Sequence, residues 1–163
     1  KYWLEKQEYV DKEKIGIIGG SYGGFMTMAA MTFMPEEFKA GVNIYGVTNW
    51  VRTLRSIPAY WESSRKQLYN EMGNPYSKDS VRLYSISPLF HANNIKNPVM
   101  ILQGANDPRV LQIESDEMVK AVRDNGIYVE YILFEDAGHG FAKKQQQIEG
   151  YSKILAFLNS YLN

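Results

Sequence analysis

The sequence predicts an α/β fold in which a parallel sheet of about four strands is flanked by helices. Short apolar runs alternate along the chain with segments of helical periodicity, and glycine or asparagine marks several of the boundaries. Alternation of strand and helix favours right-handed crossovers and therefore a parallel sheet. The chain has 163 residues, of which 45% are hydrophobic and 22% charged, a composition that suits one globular unit.

The first part of the chain contains two predicted strands and one predicted helix after a short helical turn at Trp3–Tyr9. Ile15–Ile18 is an apolar run that ends in glycines, which is typical of a buried strand. Tyr22–Met34 is apolar nearly all round and predicts a buried helix, whose end is limited by Pro35. Ala40–Tyr45 predicts the second strand.

The second part of the chain begins with an irregular, aromatic-rich segment, Thr48–Tyr84, in which we expect short helices. Pro98–Leu102 and Val129–Phe134 are predicted as the third and fourth strands. A helix is expected between them, with an apolar face formed by Leu111, Ser115, Met118, Val119 and Val122 and a stop at Asn125-Gly126. The stripe of a last helix consists of Ile148, Tyr151, Leu155, Leu158 and Leu162.

Composition restricts the classes of function. The 18 basic residues balance the 18 acidic ones, so no net field favours nucleic acid or a membrane surface. No apolar stretch approaches the roughly 20 residues that a membrane-spanning helix needs. Cysteine is absent, which removes disulfides and thiol chemistry, and no spacing of residues implies a metal or an organic cofactor. Localisation stays open between the cytoplasm and the periplasm.

A glycine-rich turn, Gly19–Gly24, lies between the first predicted strand and the buried helix and has the pattern G-x-S-x-G around Ser21. A serine in such a strand-turn-helix context is held in a sharp, strained turn, where it can act as a nucleophile. Its alternatives are a plain glycine-rich turn with a capping serine, or a phosphate-binding loop. Because no Gly-Lys-Ser/Thr follows, the phosphate-binding loop is disfavoured.

A nucleophilic serine needs a base and a carboxylate that orients the base. His139 follows the fourth predicted strand between two glycines, whereas His91 precedes the third strand and is interpreted as a structural or surface residue. Asp107 follows the third strand and is the preferred acid. Asp136 is a competitor, but it shares a loop with the base and suits a turn position. The order serine, aspartate, histidine is that of an α/β-hydrolase triad.

Three motifs give the sequence a specific resemblance to the prolyl oligopeptidase family of serine peptidases. They are GGSYGGF at Gly19–Phe25, GANDPRV at Gly104–Val110 and DAGHGF at Asp136–Phe141. The resemblance extends over nearly the whole chain. It is greatest to acylaminoacyl-peptidase-like and dipeptidyl-peptidase-like members, two branches that the sequence does not separate.

The resemblance implies roles for the residues of these motifs. Ser21 would be the nucleophile, Asp107 the acid and His139 the base of the triad. The backbone N–H of Tyr22 would bind the oxyanion of the reacting carbonyl. Arg109 stands where related enzymes often place a residue that contacts a substrate carbonyl, and its alternatives are a local ion pair or a solvent-exposed loop charge.

Val47 and Trp50 fall where relatives build part of the pocket for the side chain that precedes the scissile bond. Their alternative is core packing beneath the irregular segment. Gln103-Gly104 departs from the His-Gly that many relatives have, but that histidine is outside the family's triad.

The resemblance also implies a larger protein. Family members carry a β-propeller and earlier sheet strands, so we expect residues 1–163 to be a single unit, the C-terminal portion of a catalytic domain with a partial α/β-hydrolase fold. The N-terminal strands and the propeller would be absent from it. The family places the second oxyanion donor after an early strand, outside these residues.

Three functions follow from these observations. The first is a serine peptidase that cleaves short peptides through an acyl-enzyme, and the second is a carboxylesterase-type α/β-hydrolase with the same triad. The third is an inactive fragment that acts only as an association module. In that case Ile15–Ile18 would be an exposed sheet edge, which invites pairing with another copy of the chain in a homo-oligomer.

Overall fold

Four short runs of the sequence form one parallel sheet in the computed structural model, which describes residues 1–163. The strands are β1 (Ile17–Gly20), β2 (Gly41–Ile44), β3 (Val99–Gly104) and β4 (Val129–Phe134). They lie side by side in the order β1-β2-β3-β4, and every pair is parallel. The predicted four-stranded parallel sheet with flanking helices is therefore confirmed.

Six α-helices connect and flank the strands. They are α1 (Tyr22–Phe33), α2 (Trp50–Arg55), α3 (Arg65–Met72), α4 (Asp79–Ser85), α5 (Gln112–Asp124) and α6 (Lys144–Leu162). Short 3-10 helices occupy Leu4–Lys6, Ala59–Ser64 and Pro88–Asn94. None of the helices combines the length and the apolar character that crossing a bilayer requires.

The first residues of the four strands are aligned with one another across the sheet. Ile17 pairs with Gly41, Gly41 with Val99, and Val99 with Val129. Because the strands are parallel and start together, the loops that follow them leave the sheet at the same edge.

The sheet has a core on each face. Along the fully buried β3, Val99 and Ile101 pack with side chains of α1 and α5, whereas Met100 and Leu102 pack with α6. This alternation is the period-two pattern of a strand that is covered on both faces. The result is a three-layer arrangement with α1 and α5 on one side and α6 on the other.

A smaller third core lies beyond the end of the sheet. It joins the start of α1 to the irregular segment and to the loop after β3, through Phe25, Val47, Trp50, Val51, Leu54, Leu83 and Val110. The aromatic-rich segment therefore contributes a hydrophobic core of its own, with the short helices that the sequence predicts.

The first strand differs from its prediction. Regular pairing starts at Ile17 and extends through Gly20, two residues further along than Ile15–Ile18. The description of this run as buried is wrong for Ile18, which is 50% exposed. Ile18 is in register with Val42, on the α6 side of the sheet, but it lies on the edge strand, where β1 has a neighbour on one side only.

The predicted stripe of α6 is wrong for three of its five residues, whereas Leu158 packs against the core and Leu162 lies beside Gly16. Ile148, Tyr151 and Leu155 are 58%, 65% and 61% exposed. The helix instead buries Gln146, Gly150, Ile154 and Phe157. The buried face is displaced by one residue, which is about 100° around the helix axis. Gly150 explains the choice, because its missing side chain lets α6 approach Leu102 and Phe134.

Close backbone packing holds the start of α1 against the segment after β2. A Cβ atom on Gly24 would lie 2.3 Å from Asn43 Oδ1 and 2.7 Å from Gly46 Cα. The neighbouring Gly23 has no atom within 4 Å of the same position. Only one of these two adjacent glycines is therefore required by packing.

We expect Gly24→Ala to destabilise the fold and Gly23→Ala to leave its stability unchanged or slightly increased. Overpacking a tight contact costs about 1–3 kcal/mol, so Gly24→Ala should lower the free energy of unfolding by about 2 kcal/mol. Gly23→Ala should be neutral or stabilising by up to about 1 kcal/mol, because alanine is the better helix former. Urea unfolding of the two variants measures both changes. Equal unfolding midpoints of the two variants would contradict the close packing of Gly24 against Asn43 and Gly46.

Candidate active site

Ser21 occupies a strained turn between β1 and α1. Its φ of 56° and ψ of −117° lie in a region that residues with side chains rarely adopt. The Ser21 N–H donates to the Ile44 carbonyl at 2.9 Å, which fixes the turn to the neighbouring strand. Gly19 lets the chain fold back closely, since a Cβ atom there would lie 2.2 Å from the Gly23 carbonyl oxygen.

His139 reaches this turn from the loop after β4. Its Nε2 atom is 2.8 Å from Ser21 Oγ, within hydrogen-bond distance. Gly140 has a φ of 138°, a conformation that favours glycine and lets the loop turn back beside the sheet. The ring of Tyr45 packs against the imidazole with a centroid separation of 4.7 Å.

Asp107 is bound through both of its carboxylate oxygens. Oδ2 is 2.6 Å from His139 Nδ1, while Oδ1 accepts the backbone N–H groups of Arg109 and Val110 at 2.8 and 3.0 Å. The Asp107 side chain is fully buried, and that of His139 is 11% exposed. The two backbone N–H groups hold Oδ1, and the carboxylate is thereby fixed with Oδ2 directed to the imidazole.

The loops that carry Asp107 and His139 are bonded directly to each other. The Asn106 N–H donates to the Ala137 carbonyl at 2.9 Å. Gly104 permits this contact, because a Cβ atom there would lie 2.3 Å from the carbonyl oxygen of Gly138. The separation of the two side chains therefore depends on backbone contacts.

This arrangement can activate a hydroxyl group. Nε2 of the imidazole can take the proton of Ser21 Oγ as the oxygen attacks a carbonyl carbon. The carboxylate that accepts the Nδ1–H bond fixes the tautomer and stabilises the imidazolium that forms. The structure thus brings together the three residues selected from the sequence.

The competing residues lie elsewhere. His91 belongs to the 3-10 helix before β3, where its ring packs on Phe33 at a centroid distance of 5.0 Å. Asp136 binds the side chains of Lys143 and Gln146. The hydrogen bond from Lys143 holds the pKa of the Asp136 carboxyl below its usual value. No group of three or more His, Cys, Asp or Glu side chains is placed to hold a metal ion.

A groove of about 200 Å³ opens beside Ser21. Its lining consists of Ser21, Tyr22, Val47, Trp50, Thr53, Trp61, Leu68, Arg109, Val110 and His139. Val47 and Trp50 both line this groove and belong to the buried core beneath it. The core-packing interpretation of this pair is therefore confirmed, whereas a contact with a substrate side chain stays a prediction.

Tyr22 and Arg109 also face the groove. Tyr22 is the first residue of α1, so its backbone N–H has no acceptor within the helix. The Arg109 guanidinium lies over the Trp61 ring, 5.3 Å from its centroid, and forms no ion pair. The structure therefore shows no ion pair for Arg109, and its exposed side chain fits the alternative of a solvent-exposed loop charge as well as a contact with a substrate.

Sequence reasoning missed three residues near the site. Tyr45 adopts a φ of 43° beside His139, and burial raises the pKa of its hydroxyl. Trp61 supplies a wall of the groove from the irregular segment. Glu114 is buried in α5, and burial raises the pKa of its carboxyl. The sequence could have indicated Tyr45, because it directly follows β2 and residues after parallel strands collect at the site. It contains no such indication for Trp61.

Comparison with known proteins gives the chain its relatives. Dipeptidyl peptidase family member 6 of Caenorhabditis elegans is 43% identical over 154 residues, 93% of this chain and 21% of that protein. Dipeptidyl aminopeptidase BIII of Pseudoxanthomonas mexicana is 45% identical over 144 residues, 88% of this chain and 21% of that protein. The chain thus spans about a fifth of the length of these relatives.

Solved structures share the fold. A puromycin-hydrolyzing peptidase of Mycobacterium tuberculosis is 28% identical with a TM-score of 0.89, covering 99% of this chain and 24% of that one. An acylaminoacyl peptidase in complex with Z-Gly-Gly-Phe-chloromethyl ketone is 27% identical with a TM-score of 0.83, covering 99% and 26%. The partial α/β-hydrolase fold expected from the sequence is confirmed. The profile of the prolyl oligopeptidase family matches residues 1–163, and the chain belongs to that family.

Proposed function

We propose that this chain carries the catalytic triad of a serine peptidase that cleaves peptide bonds in short peptides. Ser21 is the nucleophile, His139 the general base and Asp107 the acid that orients it. The observation that carries the proposal is the continuous contact from Ser21 Oγ to His139 Nε2 at 2.8 Å and from His139 Nδ1 to Asp107 Oδ2 at 2.6 Å.

The reaction proceeds in two stages through an acyl-enzyme. Ser21 Oγ attacks the carbonyl carbon while its proton passes to His139 Nε2. The imidazolium returns that proton to the leaving amine as the peptide C–N bond breaks. Water then attacks the ester carbonyl carbon and gives one proton to His139. The imidazolium passes this proton to Ser21 Oγ as the ester C–O bond breaks, which releases the acid and restores the serine.

The backbone N–H of Tyr22 supplies one hydrogen bond to the oxyanion. Its place at the start of α1 supports this role, because helix N-termini favour negative charge. In the family pattern the second donor follows an early strand of the sheet. Residues 1–163 would then be the C-terminal portion of a larger catalytic domain, a proposal supported by their covering about a fifth of each relative.

The groove beside Ser21 binds the acyl side of the substrate. Val47 and Trp50 pack against the side chain that precedes the scissile bond, and Arg109 contacts a substrate carbonyl. Their place in the lining of the groove supports these roles. The peptidase names of the relatives, and the peptide-derived ligand of the acylaminoacyl peptidase, support peptides as the substrate class.

An esterase of the same fold is the alternative, since the triad and the oxyanion donor serve ester cleavage equally well.

A further proposal concerns association of the chain. The outer side of β1 has no neighbour, and Ile18 is 50% exposed there. Such an edge can pair with a second copy of the chain.

The triad predicts that Ser21 reacts with a fluorophosphonate. With only one oxyanion donor in the chain, we expect labelling roughly 10²–10³-fold slower than in a complete site. Intact mass spectrometry should show one added label in the unsubstituted chain and none in Ser21→Ala. Ser160→Ala, which changes an exposed serine of α6, is the control and should label normally. Equal labelling of Ser21→Ala would refute the assignment.

Peptidase activity is distinguished from esterase activity by comparing an amide and an ester substrate that carry the same acyl group. We expect Ser21-dependent release from a peptide p-nitroanilide as well as from the p-nitrophenyl ester, because the groove binds the acyl side in both. Initial rates over a range of concentrations give kcat/KM for each. Cleavage of the ester without any cleavage of the amide would favour the esterase.

Pairing through β1 predicts a dimer that a charge at the edge dissociates. Lysine on an edge strand opposes strand addition, so Ile18→Lys should shift the chain towards monomer in sedimentation velocity. Ile148→Lys alters a similarly exposed isoleucine on α6 and should leave the distribution unchanged. A monomeric unsubstituted chain, or the same effect from both substitutions, would contradict the pairing.

A further inference from the structure

Glu114 is a carboxylate in the first turn of α5 that the triad does not use. Only 1% of its surface is exposed, although a buried charge is costly unless it is bonded. Its location is near the active site, because α5 follows the loop that carries Asp107. The contacts of this carboxylate indicate why a charge is retained there.

Two backbone N–H groups from a distant segment bind one oxygen of Glu114. Oε2 accepts the Thr48 N–H at 3.0 Å and the Asn49 N–H at 2.6 Å. The single proton of the Thr48 hydroxyl is shared between the Glu114 carbonyl oxygen at 2.8 Å and Oε2 at 3.0 Å. Arg52 lies 3.7 Å from Oε1 and partly offsets the charge. A carboxylate suits this position because it accepts several donors and donates none.

The bonded residues lie within the wall of the groove. Thr48 and Asn49 are flanked by Val47 and Trp50, both of which line the groove beside Ser21. This part of the chain belongs to no strand, so the sheet does not position it. Two other polar bonds reach this backbone from across the fold. The Trp50 N–H donates to the Ser87 hydroxyl at 2.9 Å, and the Leu89 N–H donates to the Thr48 carbonyl at 3.1 Å.

The same turn of α5 also holds the loop of the acid. Ser115 donates to Gln103 Oε1 at 2.8 Å, and Gln103 Nε2 donates to the Val110 carbonyl at 3.0 Å. Val110 in turn donates its N–H to Asp107. Glu114 and Ser115 therefore connect the groove wall on one side with the Asp107 loop on the other.

We propose that Glu114 is a positioning residue that holds the Val47–Trp50 wall at a fixed distance from the triad and thereby sets the preference for a bulky acyl-side side chain. This inference rests on the proposed function, because the wall is taken to contact that side chain. Glutamine at this position keeps only one neutral acceptor oxygen and sets its NH2 group against either Arg52 or the two backbone N–H groups, which weakens these bonds and lets the wall relax. Small side chains, which do not reach the wall, are affected less.

The test compares two α-aminoalkyl diphenyl phosphonates, one with a benzyl and one with a methyl side chain, that phosphonylate an activated serine. We expect Glu114→Gln to slow reaction of the benzyl reagent with Ser21 about tenfold and the methyl reagent less than about threefold, the scale on which apolar pockets discriminate. Thr48→Val alters the same contact from the other side and should change the ratio in the same direction.

Thr32→Val is the matched control. Thr32 is 1% exposed, its hydroxyl donates to the Met28 carbonyl at 2.8 Å, and it is not part of the groove lining. A loss of folded protein lowers both rates equally, so this variant should leave the ratio unchanged. Equal slowing of both reagents by Glu114→Gln, or no change in either, would overturn the proposal.

A second readout separates this inference from the triad assignment. In Ser21→Ala, quenching of tryptophan fluorescence by N-acetyl-phenylalaninamide and N-acetyl-alaninamide gives the affinity ratio without any reaction at Ser21. Trp50 and Trp61 line the groove and report on its occupancy. We expect the ratio to favour the phenylalanine compound and to fall in a Glu114→Gln background. A ratio near one, or one that Glu114→Gln leaves unchanged, would overturn the role of Glu114 whatever the fluorophosphonate result.

Discussion

Hydrogen bonds at the ends of the parallel strands position the site. The Ser21 N–H donates to Ile44, the Tyr45 N–H to Leu102 and the Ala105 N–H to Phe134, at 2.9, 2.7 and 3.0 Å. Each bond continues the ladder one residue beyond a strand, into the loop that follows. The loops therefore leave the sheet from fixed positions, and the side chains they carry meet at one edge.

Backbone strain and buried charge are concentrated at this edge. Ser21 and Tyr45 both have positive φ, which costs of order 1–3 kcal/mol each and persists only where the surroundings fix it. Asp107 is buried with its oxygens bonded to His139 and two backbone N–H groups. The rest of the fold supplies the stability that offsets these costs, through the two cores on the faces of the sheet. Such preorganisation is what a site that develops charge requires.

The wall of the groove beside Ser21 depends on a different kind of contact. The groove wall comes from an irregular segment, packed on a small core of its own and anchored by polar bonds to Glu114 and Ser87. These anchors lie on elements other than the strands, and through Ser115 and Gln103 the same turn of α5 is also bonded to the loop of Asp107.

The sequence by itself predicted a sheet of four parallel strands and the three side chains that meet beside it, because strand periodicity and the glycine turn around Ser21 are local properties. It placed β1 two residues too early, since the edge of a sheet is not a local property. Tertiary structure decided which face of α6 is buried, since that helix carries apolar residues on more than one side and Gly150 selects the contact. It also decided the contacts of Glu114, whose partners lie 65 and 66 residues away. No local pattern encodes such a contact, because it exists only after the sheet has brought the two segments together.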